Sequence, residues 1–257
     1  MNGSGRFFTK YQFPIFFLLA YLISWPLLLV PDLRGQLPHG VAFAGVIVIA
    51  LAAGRVGLRE FGRRLFNFRG GWWYLVGPAI IAGYYLAAFA LNILMGAPVA
   101  AQHQLSWMSI GEFVLLGGMW EEPGWTGYAL PALQKRFAKA ANGALMATLI
   151  VGVFRGIWHI PLIFWARFPI PWYDAVLWTP LVFQVIISWL YNKSGGSVPV
   201  VMFFHLMSNI LAWAVSPVFA GPYKEQFTIL AYVCSFVFVL VIAWRSGFKL
   251  GWRSEES

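Results

Sequence analysis

The chain has 257 residues, of which 60% are hydrophobic and 11% are charged, and its mean hydropathy is +0.70. So few charged side chains exclude an ordinary soluble globular domain, which must keep a wettable surface. The composition indicates instead a protein whose solvent is a lipid bilayer.

Eight apolar runs, separated by clusters of charged, Pro and Gly residues, are candidates to cross about 30 Å of hydrocarbon. The first lacks a small-x-small cleavage site, so we expect it to be retained, and the second is short. Because backbone groups in lipid must pair internally, these lengths predict an all-α transmembrane bundle of about eight spans that forms one domain over residues 1–257. The runs are Phe13 to Val30, Val41 to Ala53, Trp72 to Met95, Ser109 to Leu130, Ala144 to Trp165, Ala175 to Leu190, Val198 to Val215 and Phe227 to Trp244.

The basic residues predict the orientation of the chain. With the N terminus inside, 14 of the 18 Lys and Arg residues fall on the cytoplasmic side, Arg34, Arg167 and Lys224 fall outside, and Arg155 lies within a span. This bias predicts cytoplasmic N and C termini in a prokaryotic plasma membrane. It also explains the net charge of +9 by topology and attraction to anionic lipid headgroups, without nucleic acid as a partner.

A small set of polar residues interrupts the apolar runs. An ionisable side chain in a span costs several kcal/mol unless it faces water or a partner, so each one suggests a functional site. All of them fall in the fourth, fifth and seventh runs. They are Glu121, Glu122, Arg155, His159 and His205, with Glu112 nearer a span end and Asn209 as an uncharged companion.

Two adjacent carboxylates, Glu121 and Glu122, precede Pro123 in the fourth run. Neighbouring positions on a helix point about 100° apart, so the two carboxylates should have different roles. Pro123 lacks a backbone N–H and predicts a kink, which is normally found beside polar groups or water. In the alternative interpretation, the two carboxylates have a purely structural role and pair with Arg155.

Two further polar pairs have the spacing of one helical turn, Arg155 with His159 and His205 with Asn209. Either pair alone is more typical of hydrogen bonding between packed helices. Taken with the carboxylates, they form a set suited to activating water and stabilising an oxyanion.

These motifs resemble the CPBP intramembrane proteases, also called the Abi or CAAX-protease group, which includes the type II CAAX prenyl endopeptidases. The family pattern is EExxxR, then FxxxH, then HxxxN. This chain has Glu121 and Glu122, followed by Trp158-His159-Ile160-Pro161 and by His205 to Asn209, in the same order on separate spans. The similarity extends over roughly Leu116 to Asn209, within a family-like core of about residues 109–215.

The resemblance implies a glutamate-dependent intramembrane peptidase. Glu121 would activate water, His159 would help to hold it, His205 and Asn209 would stabilise the oxyanion, and Glu122 would orient the set. The family has been described both as metal-dependent and as glutamate-dependent. We expect no cofactor, with zinc or another divalent metal on Glu121, His159 and His205 as the alternative.

The chain departs from the family pattern at two positions. Thr126 stands where EExxxR has Arg, and Arg155 stands where FxxxH has Phe. Our hypothesis is that Arg155 reaches across from the fifth span to pair with Glu122. In the alternative, Arg155 snorkels or meets backbone carbonyls, while a neutral Glu122 bonds to Thr126.

The predicted function is hydrolysis of a membrane-associated peptide, of CAAX type or another small peptide, with access from the cytoplasmic side. A different reading is a non-catalytic scaffold or an immunity-type partner-binding protein that keeps the polar cluster for assembly. A third is a proton-coupled transporter, because intramembrane carboxylates and histidines also form proton relays.

Overall fold

The computed structural model describes residues 3–31, 35–99, 106–166 and 170–253, and every regular element in these segments is helical. Arg34 and Arg167 lie outside the described residues. The segment Asp174–Phe183 is a π-helix. The helices are α1 (Gly3–Ser24), α2 (His39–Leu65), α3 (Trp73–Leu94), α4 (Trp107–Leu116), α5 (Leu130–Arg136), α6 (Gly143–Trp165), α7 (Asp174–Lys193), α8 (Val198–Val215) and α9 (Pro222–Ser246).

Seven of these helices, all except α4 and α5, are long and apolar enough to cross a membrane. They coincide with seven of the eight predicted spans. Large apolar side chains such as Leu18, Leu86 and Val233 remain exposed on the outside of the bundle, a surface suited to lipid rather than to water. The chain is therefore a multi-pass integral membrane protein.

The fourth predicted span, Ser109 to Leu130, is not one continuous helix, which corrects the sequence-based expectation. Helix α4 ends at Leu116, and Gly117 adopts an extended conformation with φ −77° and ψ 167°. The chain then forms a 3₁₀ turn, a single α-turn that contains Pro123 and a π-turn before α5 begins. The irregularity thus starts at Gly117, ahead of Pro123, where the kink was predicted.

This interrupted segment nevertheless runs antiparallel to α8 from end to end. The rings of Phe113 and Trp213 lie 6.2 Å apart near one end of α8. At the other end, a Cβ on Gly127 would lie 3.2 Å from Val198. The segment therefore extends along a spanning helix and carries its carboxylates to the middle of it.

Helices α6 and α7 meet backbone to backbone. A Cβ atom on Gly156 would lie 2.4 Å from the Ala175 carbonyl oxygen, and one on Gly152 would lie 2.7 Å from the Pro180 carbonyl oxygen. Small residues four apart allow such close packing between membrane helices. This contact holds the end of α6 that carries His159 against the π-helical half of α7.

Candidate active site

The structure brings the four predicted catalytic side chains to one cavity. Glu121, His159, His205 and Asn209 all line a space of about 490 Å³ among the interrupted segment, α6, α7 and α8. Glu121 does not point toward lipid, because only 3% of its surface is exposed and that surface faces the cavity. Their catalytic roles remain predictions, but the convergence that those roles require is present.

Glu122 is fully buried, and its two carboxylate oxygens accept hydrogen bonds from three side chains. Its Oε1 accepts from Arg155 Nη2 at 2.7 Å and from His205 Nδ1 at 2.7 Å. Its Oε2 accepts from Thr126 Oγ1 at 2.5 Å. A carboxylate held by this many donors is suited to orienting its neighbours and is a poor general base.

Glu121 has a different environment, although it is the adjacent residue. Trp125 Nε1 donates to its Oε2 at 3.2 Å, and Arg155 Nε lies 3.9 Å from the same oxygen. None of the hydrogen bonds found among the described residues engages Oε1, which leaves that oxygen free toward the cavity. Of the two carboxylates, Glu121 is therefore the one placed to receive a proton from a bound water.

Gly118 explains how Glu121 and His205 approach each other. A Cβ atom on Gly118 would lie 2.3 Å from His205 Nε2 and 3.0 Å from Glu121 Oε1. Both atoms thus border the same small space, which only a residue without a side chain leaves open. The 3₁₀ turn at Gly118–Glu121 places this glycine beside the carboxylate.

The two histidines each have one ring nitrogen committed to a neighbour. His159 Nδ1 donates to the Arg155 carbonyl oxygen at 2.9 Å, because a carbonyl can only accept. A neutral His159 ring therefore presents Nε2 as an acceptor. His205 uses Nδ1 toward Glu122, which fixes its ring and leaves Nε2 at the cavity.

Asn209 lies one helical turn beyond His205 on α8 and also lines the cavity. In the described part of the chain its amide makes no side-chain hydrogen bond, so both N–H groups are free to donate. An amide on the same face of the helix as His205 provides a donor for a developing negative charge.

The structure contains the predicted ion pair between Arg155 and Glu122. Arg155 is completely buried, and its guanidinium also lies 5.9 Å from the Trp125 ring centroid and 5.6 Å from that of Phe183. The bond from Thr126 to Glu122, which belonged to the alternative hypothesis, is present as well. Both features therefore occur together, with Arg155 reaching across from α6.

The metal alternative receives no support from the geometry. Within the described segments, no three His, Cys, Asp or Glu side chains are grouped closely enough to hold one metal ion. This includes the set Glu121, His159 and His205.

Sequence reasoning missed three contributors to this site. Trp125 and Gly118 were not singled out, because their roles depend on the irregular backbone of the interrupted segment. Asp174 also lines the cavity, and its carboxylate accepts from Thr179 Oγ1 at 3.2 Å and from the Tyr232 hydroxyl. Asp174 immediately precedes the predicted span Ala175 to Leu190, so an acidic residue at a span boundary was the available signal.

Comparison with known proteins finds a similarity over the part of the chain that contains the candidate site. Residues 102–211 match the family model described as type II CAAX prenyl endopeptidase Rce1-like. The chain is also 27% identical over 186 residues to "CAAX prenyl protease 2" of Methanococcus maripaludis, an alignment that covers 64% of this chain and 65% of that protein. The matched region contains Glu121, Glu122, His159, His205 and Asn209. Over residues 102–211 the chain is therefore similar to the Rce1-like type II CAAX prenyl endopeptidases.

Proposed function

We propose that the chain is an intramembrane endopeptidase that hydrolyses a peptide bond of a membrane-associated substrate. The observation that carries the proposal is the contrast between two adjacent carboxylates. Glu122 is saturated by three donors, whereas Glu121 keeps one oxygen open to a cavity that His159, His205 and Asn209 also line.

In the proposed reaction, a water in the cavity lies between Glu121 and His159. Glu121 Oε1 takes one proton of this water while the water oxygen attacks the carbonyl carbon of the scissile peptide bond. His159 Nε2 accepts a hydrogen bond from the second water proton and so orients the nucleophile. The tetrahedral intermediate then carries a negative charge on the former carbonyl oxygen.

Asn209 Nδ2 donates to this oxyanion, and His205 Nε2 does so when both ring nitrogens carry a proton. Donors that are already in place lower the barrier because they need no reorganisation as charge develops. Glu122 holds the His205 ring in this orientation through the bond to Nδ1. When the intermediate collapses, Glu121 returns its proton to the leaving amine, which gives a new carboxyl end and a new amino end.

The alternative of a non-catalytic scaffold explains only part of the site. A structural cluster accounts for the buried group around Glu122 and Arg155, where charges and donors are matched. It gives no reason for an open carboxylate oxygen, an Asn209 amide that bonds to none of the described side chains, and a cavity of about 490 Å³ between them.

The test is cleavage by the purified protein in proteoliposomes, using a library of lipid-anchored peptides with products identified by mass spectrometry. Glu121→Gln keeps the shape of the side chain but removes the base, so we expect cleavage to be abolished. Glu112→Gln is the matched control, because Glu112 is an exposed carboxylate on α4 outside the cavity. Cleavage that persists in Glu121→Gln would contradict the assignment of the base.

A further inference from the structure

Twelve basic side chains of the described segments gather at one end of the bundle, here called the basic end, whereas Arg155 is buried within the bundle and Lys224 lies at the start of α9. Contacts between chain segments hold this end together: Arg64 Nε donates to the Gly127 carbonyl at 3.2 Å, and Asn192 Nδ2 donates to the Leu250 carbonyl at 3.1 Å. Its members flank the ends of α2, α5, α7 and α9 and the beginnings of α3, α6 and α8. They are Arg55, Arg59, Arg63, Arg64, Arg69, Lys135, Arg136, Lys139, Lys193, Arg245, Lys249 and Arg253.

The cavity with the candidate catalytic residues opens away from the basic end. Along α8, which begins beside the basic end at Val198, the cavity is lined from His205 onward to Trp213. Along α7, which ends at Lys193, the lining residues lie in the first half of the helix, from Asp174 to Phe183. On α6, too, the lining residues lie away from the basic end, because they begin at Trp158, fifteen residues beyond Gly143.

The basic end has a cavity of its own, but that cavity is unrelated to the site. It measures about 220 Å³ and is lined by Ala138, Ala140, Ala144, Lys249, Trp252 and Arg253. None of the four candidate catalytic residues borders it. This small cavity therefore gives no access to Glu121.

Lys and Arg near the ends of membrane helices remain in the cytoplasm, which makes the basic end the cytoplasmic one. Resting on the proposed function, we propose that the catalytic cavity opens on the extracytoplasmic side of the membrane. The substrate is then a peptide segment presented on that side, such as the outward-facing end of a membrane-anchored polypeptide. This is the opposite of the cytoplasmic access expected from the sequence, and it disfavours a cytoplasmic lipidated tail as the substrate.

Single-cysteine labelling of intact cells tests the orientation. The natural Cys234 is first replaced by Ser, and one alanine at each end is then changed to Cys: Ala212→Cys in the cavity lining and Ala140→Cys at the basic end. A membrane-impermeant maleimide should label Ala212→Cys in intact cells, and Ala140→Cys only after permeabilisation. Leu116→Cys, at an exposed position of the same cavity, is the second cavity variant if Ala212→Cys does not accumulate.

The opposite pattern, or labelling of Ala140→Cys in intact cells, overturns the proposal. A functional measurement resolves the case in which the cavity thiols react under neither condition: a peptide found in the cleavage test is added to right-side-out and to inside-out vesicles. We expect cleavage only in right-side-out vesicles, and cleavage only in inside-out vesicles overturns the proposal. Because labelling does not require catalysis, failure of the orientation can be distinguished from failure of the peptidase function.

Discussion

Arg155 on α6 donates to Glu122 on the interrupted segment across 2.7 Å, between two side chains that are both completely buried. The family pattern instead has Arg at the position of Thr126, one helical turn beyond Glu122, and Phe at the position of Arg155. The cation has thus moved to another helix, while its carboxylate partner is unchanged.

This exchange predicts the behaviour of a double variant. Arg155→Phe alone leaves Glu122 buried without its cation, which we expect to cost roughly 3–5 kcal/mol and to abolish cleavage. Adding Thr126→Arg converts the chain to the family pattern and should restore part of both stability and activity. Thermal unfolding in detergent and cleavage rates measure the coupling. A double variant no better than Arg155→Phe would show that the two arrangements are not equivalent.

The two carboxylates should separate stability from activity. Glu122→Gln weakens three hydrogen bonds, two of them to cationic or ionisable partners, and we expect a loss of roughly 3–5 kcal/mol. Glu121→Gln disturbs the bond from Trp125 and the longer, 3.9 Å contact with Arg155, and should change stability by about 1 kcal/mol. The unfolding midpoints of the two variants, measured in the same detergent, give the comparison. Equal losses would contradict the division of roles.

Gly118 should not tolerate any side chain. The methyl group of Gly118→Ala would overlap His205 Nε2 and displace the ring from Glu121, which we expect to lower kcat by about 100-fold. Gly111→Ala is the matched control, because a Cβ at Gly111 meets no atom within 4 Å. Unimpaired turnover in Gly118→Ala would mean that His205 acts from another position.

Asn209 should contribute through the transition state rather than through folding. Asn209→Ala removes a donor to the oxyanion, so we expect kcat to fall by about 10² with little change in KM. The unfolding midpoint should stay near that of the wild type, because the amide has no side-chain partner among the described residues. A large rise in KM with unchanged kcat would instead indicate a role in binding the substrate.

Much of the fold could be predicted because hydrophobicity and length determine membrane helices almost locally. Seven spanning helices lie where the apolar runs predicted them. The interruption after Leu116 could not be predicted, because a glycine such as Gly117 is also found inside membrane helices. The segment is apolar enough to look like a regular span.

The site could be predicted in part for a related reason. The spacing of one helical turn revealed the pairs on α6 and α8, and a missing Arg together with an extra one indicated the ion pair between Arg155 and Glu122. Which carboxylate is saturated depends on the mutual orientation of three helices, and the sequence contains no local signal for it. The position of the cavity relative to the basic end likewise could not be predicted, because it depends on how the helices are arranged in three dimensions.

The glycines of α6 also bear on how a substrate can enter. Gly152 and Gly156 bring the backbones of α6 and α7 into contact on one side of the cavity. The distance between the two helices is therefore set by main-chain atoms, which cannot change rotamer. We therefore expect this side of the cavity to stay rigid while a peptide enters. We expect α4 to move instead when the peptide enters, because no residue of Trp107–Leu116 is fully buried.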